Sequence, residues 1–191
     1  MFIKYSLILI LSILAMPALA ASSAKAEDHH KGAKIILHFK SMFGVDAPFL
    51  STPPPDANPP GNGPLDSDPK VRDVLGDYQS WKVAKSVDGK LFSDGKLIIN
   101  IKGLIFGNGS PNDEDHFRVL VSCQTAPDST TNTPFSNVIT DPFPVHKPIG
   151  KGNANIKVQL ENFPSPCLAP AVMILNGDSA EGDVWFAVTG F

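Results

Sequence analysis

The sequence predicts an all-β chain, an antiparallel β-sandwich (Ig-like or jelly-roll-like) of about seven strands with one disulfide, a small β-barrel being the alternative. Three observations predict it. Short apolar runs alternating with a period of two recur between turn residues from residue 66 onward. No stretch carries a sustained helical apolar period. The only two cysteines, Cys123 and Cys167, stand 44 positions apart without C-x-x-C spacing, which removes redox-motif and zinc-ribbon readings.

Residues 1–20, "MFIKYSLILILSILAMPALA", place Lys4 before an apolar run from Tyr5 to Met16, then Pro17 and the small residues Ala18 and Ala20. These are the three parts of a secretory signal peptide. The run is shorter than the roughly 20 residues that span a bilayer. Cleavage is therefore expected between Ala20 and Ala26, leaving no stable membrane anchor, and the expected location is secreted or periplasmic. In such an oxidising compartment Cys123 and Cys167 read as one structural bridge. Closing that loop lowers the entropy of the unfolded chain by about 4 kcal/mol in the loop-closure account.

Residues 21–65 read as a flexible Pro-rich N-terminal segment or linker. "STPPPDANPPGNGP" (Ser51 to Pro64) holds six prolines and two glycines, which supply few ladder hydrogen bonds and favour extended polyproline geometry. Ahead of it, "AKIILHFKSMFGV" (Ala33 to Val45) is an apolar island whose periodicity fits a short helix or an edge strand equally well.

Residues 66–191 form the expected β-sandwich domain. "WKVAKSV" (Trp81 to Val87) alternates and is expected to end in a turn at Asp88-Gly89, and a second turn at Asp94-Gly95 launches "KLIINIKGLIF" (Lys96 to Phe106). In "FRVLVSC", Phe117, Val119, Val121 and Cys123 share the core face, while Arg118, Leu120 and Ser122 share the other. "SNVIT" (Ser136 to Thr140), "ANIKVQL" (Ala154 to Leu160), "PAVMIL" (Pro170 to Leu175) and "DVWFAVTGF" (Asp183 to Phe191) complete the set. The continuously apolar "AVMIL" reads as a central strand, and "NIKVQL" as a strand with one wet face. A membrane barrel is disfavoured despite the terminal Phe191, because such barrels need strands of about 9 to 11 residues with lipid-facing alternation.

The spaced set "FRVLVSC", "NVIT-DPFP" (Asn137 to Pro144) and "PSPCLAP" (Pro164 to Pro170) resembles that of small exported bacterial proteins of uncharacterised function. The resemblance covers somewhat under half of the chain and does not reach the Pro-rich stretch before Asp66. It implies one bridged β domain and no activity or functional residues.

Function classes narrow by exclusion. The formal net charge is −3, and the charges are scattered in sequence, so neither a nucleic-acid footprint nor a patch aimed at an anionic surface is expected. No G-x-S-x-G elbow or H-E-x-x-H helix is present, and "SDGK" (Ser93 to Lys96) sits on a turn where S-x-x-K would need a helix. No catalytic residue, metal ligand or cofactor is assigned. "EDHH" (Glu27 to His30) reads as a solvated tail. "NDEDH" (Asn112 to His116) does not follow the alternate-ligand spacing of a calcium loop and reads as a charged loop. Asp113, Glu114, Asp115 and His116, with His146, are nonetheless the candidate binding residues, since binding groups concentrate on loops held by a rigid scaffold. The expectation is an exported, non-enzymatic protein with a binding or structural role and an unknown protein or glycan ligand, presented on loops 107–116 and 124–135. The alternative is an extracytoplasmic metal-binding protein or hydrolase using the 112–116 acidic/His loop.

Overall fold

The computed structural model describes residues 32–125, 134–177 and 183–189. Residues 1–20, the expected signal peptide, "EDHH", most of the 124–135 loop and Phe191 lie outside them. Among the described residues, no helix is long and apolar enough to cross a membrane.

Twelve strands form among the described residues, in chain order β1 (Ile35–Phe39), β2 (Met42–Gly44), β3 (Lys70–Val71), β4 (Val74–Gly76), β5 (Trp81–Phe92), β6 (Lys96–Phe106), β7 (His116–Gln124), β8 (Phe135–Ile139), β9 (Phe143–Pro144), β10 (Ala154–Gln159), β11 (Leu168–Asn176) and β12 (Val184–Thr189). All seven expected strands are present. The five additional ones are two to five residues long, too short for alternation to register.

The strands build a two-sheet sandwich. The smaller sheet runs β1-β5-β6-β10 and is antiparallel throughout. The larger runs β3-β4-β12-β11-β7-β8, with β2 paired to β12, β9 paired to β7, and one parallel pairing between β4 and β12. Neither sheet closes on itself, which corrects the barrel alternative. The disulfide joins Cys123, at the end of β7, to Cys167, just before β11, with the Cα atoms 5.0 Å apart. These strands are already neighbours, so the bridge fixes a pairing that backbone hydrogen bonds also make.

Four expectations are corrected. First, β5 does not turn at Asp88-Gly89 but continues to Phe92. Gly89 is there for close approach, since a Cβ on it would lie 2.0 Å from Cζ of Phe39, whose ring packs on that backbone. The hairpin forms at Ser93 to Gly95, where Gly95 takes a φ of 85°. Second, β7 buries both faces, with Arg118, Leu120 and Ser122 as inaccessible as their neighbours.

Third, the compact unit begins at Gly32, not Asp66. The apolar island becomes a strand that switches sheets, β1 pairing with β5 in one sheet and β2 with β12 in the other. Val45 then stitches the sheets together: its N–H donates to the Phe186 carbonyl at 2.8 Å and its carbonyl accepts from the Trp81 N–H at 2.8 Å. Beyond it, the segment 46–76 lies over the outer face of the larger sheet. The Phe49 ring sits 6.3 Å from that of Trp185, the Arg72 guanidinium lies 5.1 Å from the Phe135 centroid, and Asn137 Nδ2 donates to the Arg72 carbonyl. Prolines do not prevent this, because a covering segment needs side-chain contact more than ladder hydrogen bonds.

Fourth, the lysines that are scattered in sequence are not scattered in space. Strand alternation and register gather several of them on the outer face of the smaller sheet.

Candidate functional site

A cleft of about 610 Å³ opens at one end of the sandwich, where three connections meet. The Pro-rich loop contributes Ser51, Thr52, Pro54 and Asp56, the β4–β5 connection Asp77, Tyr78 and Gln79, and the β6–β7 loop Asp113, Glu114 and Asp115. Trp81, Phe106 and Phe186 form its base.

Each wall is held by identifiable bonds. The Trp81 ring stacks on Phe186 with centroids 4.0 Å apart and meets Phe106 at 4.7 Å. Such contacts add roughly 0.5–1.5 kcal/mol each beyond area burial. Trp81 Nε1 donates to Asp77 Oδ2 at 2.5 Å, while Asp77 Oδ1 accepts the Tyr78 N–H at 2.7 Å. A buried carboxylate is thus held by donors from the wall it supports. The β6–β7 loop is anchored by buried Asn112, whose Nδ2 donates to the Leu104 carbonyl and whose Oδ1 accepts the Glu114 N–H at 3.1 Å.

Asp68 clamps the two ends of the Pro-rich loop. Its carboxylate accepts the Thr52 N–H and hydroxyl at 2.8 and 2.9 Å from one end, and the Leu65 N–H at 2.9 Å from the other. The Thr52 and Leu65 backbone donors hold its pKa below the usual carboxylate value, since they favour the charged form.

The candidate residues chosen from sequence divide. Asp113, Glu114 and Asp115 line the cleft. His116 opens β7 with its Nδ1 at 2.7 Å from Asp115 Oδ1 at the exposed surface, outside the cleft lining. The chain at 144–146 does run beside the acidic loop, because the Val145 N–H donates to the Asp115 carbonyl at 2.8 Å. The His146 side chain is exposed and does not line the cleft either. Among the described residues, no three or more His, Cys, Asp or Glu side chains converge as a metal site would need.

Sequence reasoning missed Asp77, Trp81, Phe106 and the Pro-rich wall. Trp81 and Phe106 are paired partners at the far ends of β5 and β6. The turn at Asp94-Gly95 alone would set Trp81 opposite Gly107; a bulge between Val83 and Ser86 shifts the register by one and brings Phe106 there. Nothing in "STPPPDANPP" indicates which surface it will cover.

Fold and site together define a disulfide-bridged, two-sheet β-sandwich with an acidic, aromatic-based cleft between loops at one end. No protein-family model, no curated protein and no solved structure matches the chain.

Proposed function

We propose that this chain is an exported, non-enzymatic binding protein whose cleft takes a protein or glycan ligand outside the cytoplasm. The observation that carries this reading is the 610 Å³ cleft, which gathers loop carboxylates and hydroxyls over an aromatic base on a rigid scaffold. Asp56, Asp113, Glu114 and Asp115 favour ligands rich in donors, whether sugar hydroxyls or Lys and Arg side chains. The signal-peptide pattern and the Cys123–Cys167 bridge support an oxidising, extracytoplasmic setting.

Screening the purified chain against basic peptides and neutral glycans by thermal shift is expected to yield a ligand whose affinity falls about tenfold or more in Asp113→Asn/Glu114→Gln. Turnover of an ester, glycan or peptide substrate, lost in the same variant, would replace this reading with an enzymatic one.

The 2.7 Å contact between Asp115 and His116 favours one second reading, a metal-binding protein or hydrolase built on residues 112–116. Calorimetry with calcium, zinc and copper tests it: heat of binding that disappears in His116→Ala supports it, and silence with all three ions ends its metal form.

A further inference from the structure

The outer face of the smaller sheet carries a feature independent of the cleft. Antiparallel register sets His38 opposite Lys90, Lys90 opposite Ile98 and Ile98 opposite Lys157, so one cross-strand row spans all four strands. Neighbouring strands lie about 4.8 Å apart, which makes that row about 14 Å long. The adjacent row is Asp88, Asn100 and Asn155, and Lys102 pairs with Ser86 beyond it.

Four ammonium groups, from Lys40, Lys90, Lys102 and Lys157, belong to this face against one carboxylate, Asp88, while Lys96, at its hairpin end, has the Asp94 carboxylate beside it. That carboxylate has His38 Nε2 at 3.5 Å. On a chain whose net charge is −3, such a surface arises only because lysines from β5, β6 and β10, with Lys40 just past β1, project from the same face. The face is also concave. A shallow trough of about 570 Å³ lies among Lys40, Lys90, Lys102, Asn100 and Ser86.

We propose that this face binds an anionic polysaccharide laid across the four strands. The ammonium groups would meet its carboxylates or sulfates, and Asn100, Asn155 and Ser86 its hydroxyls. Between the lysines the face offers amides and a hydroxyl around half-buried Ile98, while its larger apolar side chains, Ile35 and Phe92, sit opposite each other at one end, beside the edge strand β1. An extended polar chain matches the amides and ammonium groups across the middle of the face.

Fluorescence-polarisation titration of the purified chain with labelled heparin oligosaccharide tests this, with neutral dextran and phosphatidylglycerol vesicles as parallel arms. Heparin should bind, more weakly as salt rises, while dextran should not. Lys102→Glu/Lys157→Glu should lower heparin affinity about tenfold or more with an unchanged melting temperature. Lys102→Gln/Lys157→Gln, which removes charge without adding any of opposite sign, should give a smaller loss. Absence of heparin binding, binding that survives both double variants, or vesicle binding without heparin binding would each overturn the proposal. Asp113→Asn/Glu114→Gln should leave heparin affinity unreduced, which keeps this test separate from that of the cleft.

Discussion

In the smaller sheet, β6 alternates between buried Leu97, Ile99 and Ile101 and exposed Asn100 and Lys102. In the larger sheet, β7 buries every residue from Phe117 to Cys123, and β11 every residue from Ala171 to Asn176. Both strands sit in the middle of their sheets and face each other's core, so centrality does not explain the difference. The difference lies on the far side. Water meets the outer face of β6, whereas on the larger sheet the chain from Asp46 to Gly76 reaches the strands that flank β11 and β7, Phe49 meeting Trp185 of β12 and Arg72 meeting Phe135 of β8. A segment whose only regular structure is the short β3–β4 pair at the sheet's edge therefore does for the larger sheet what a third layer does in other folds.

The largest expected effect tests that contrast directly. Leu120 is on the face of β7 turned away from the smaller sheet, and it is 1 % exposed. Leu120→Ala should cost about 2–5 kcal/mol in urea unfolding, the usual range for a buried leucine. Asn100→Ala, at the corresponding outward position of β6, should stay within about 0.5 kcal/mol. A cost near zero for Leu120→Ala would mean that the face under segment 46–76 is open to water, and the comparison would collapse.

The same contrast explains what was legible. Alternation gives away a strand with one wet face, so β6 and β10 could be read to within a residue or so. It also located β7 and β11 but misjudged the second face of β7, because the alternation of Arg118, Leu120 and Ser122 with apolar residues looks one-sided. Arg118 is buried with partners far away in sequence: its Nη2 reaches Asp183 at 2.7 Å and its Nε donates to the Asn176 carbonyl at 2.9 Å. Local pattern does not report such contacts. The β3–β4 hairpin escaped for a different reason. Its two-residue turn is Arg72-Asp73, both with positive φ, where Asn-Gly would have signalled it. For the site, the acidic loop was legible from composition, whereas the wall opposite it depended on where the Pro-rich segment docks.

A smaller effect probes the strand that joins the two sheets. Gly89→Ala would drive a methyl into the Phe39 ring, forcing β1 away from β5. The expected cost is about 1–3 kcal/mol, as for overpacking elsewhere. Phe39→Ala in the same chain should make room, so the double variant should lose less than the two single losses added together. Additive losses would show that Gly89 is needed for some reason other than the ring.

The smallest effect concerns the clamp on the cover. Asp68 carries a lowered pKa because Thr52 and Leu65 donate to its charged form. In the unfolded chain those donors are gone and the carboxyl titrates near its ordinary 3.8. At a pH between the two values the unfolded chain binds more protons than the folded one, so stability rises with pH there. The clamp's contribution is thus complete above the ordinary value and is lost as pH falls through the lowered one. Asp68→Asn, which keeps the shape but not the charge, should melt slightly below the wild type at pH 7. The gap should close as the pH drops below about 4 and the wild-type carboxyl takes up its proton. Limited proteolysis at neutral pH gives a local reading of the same event, with cleavage between residues 53 and 64 faster in the variant. Equal cleavage rates, or a melting gap that persists in acid, would mean that the cover is held by Phe49 and Arg72 without help from the clamp.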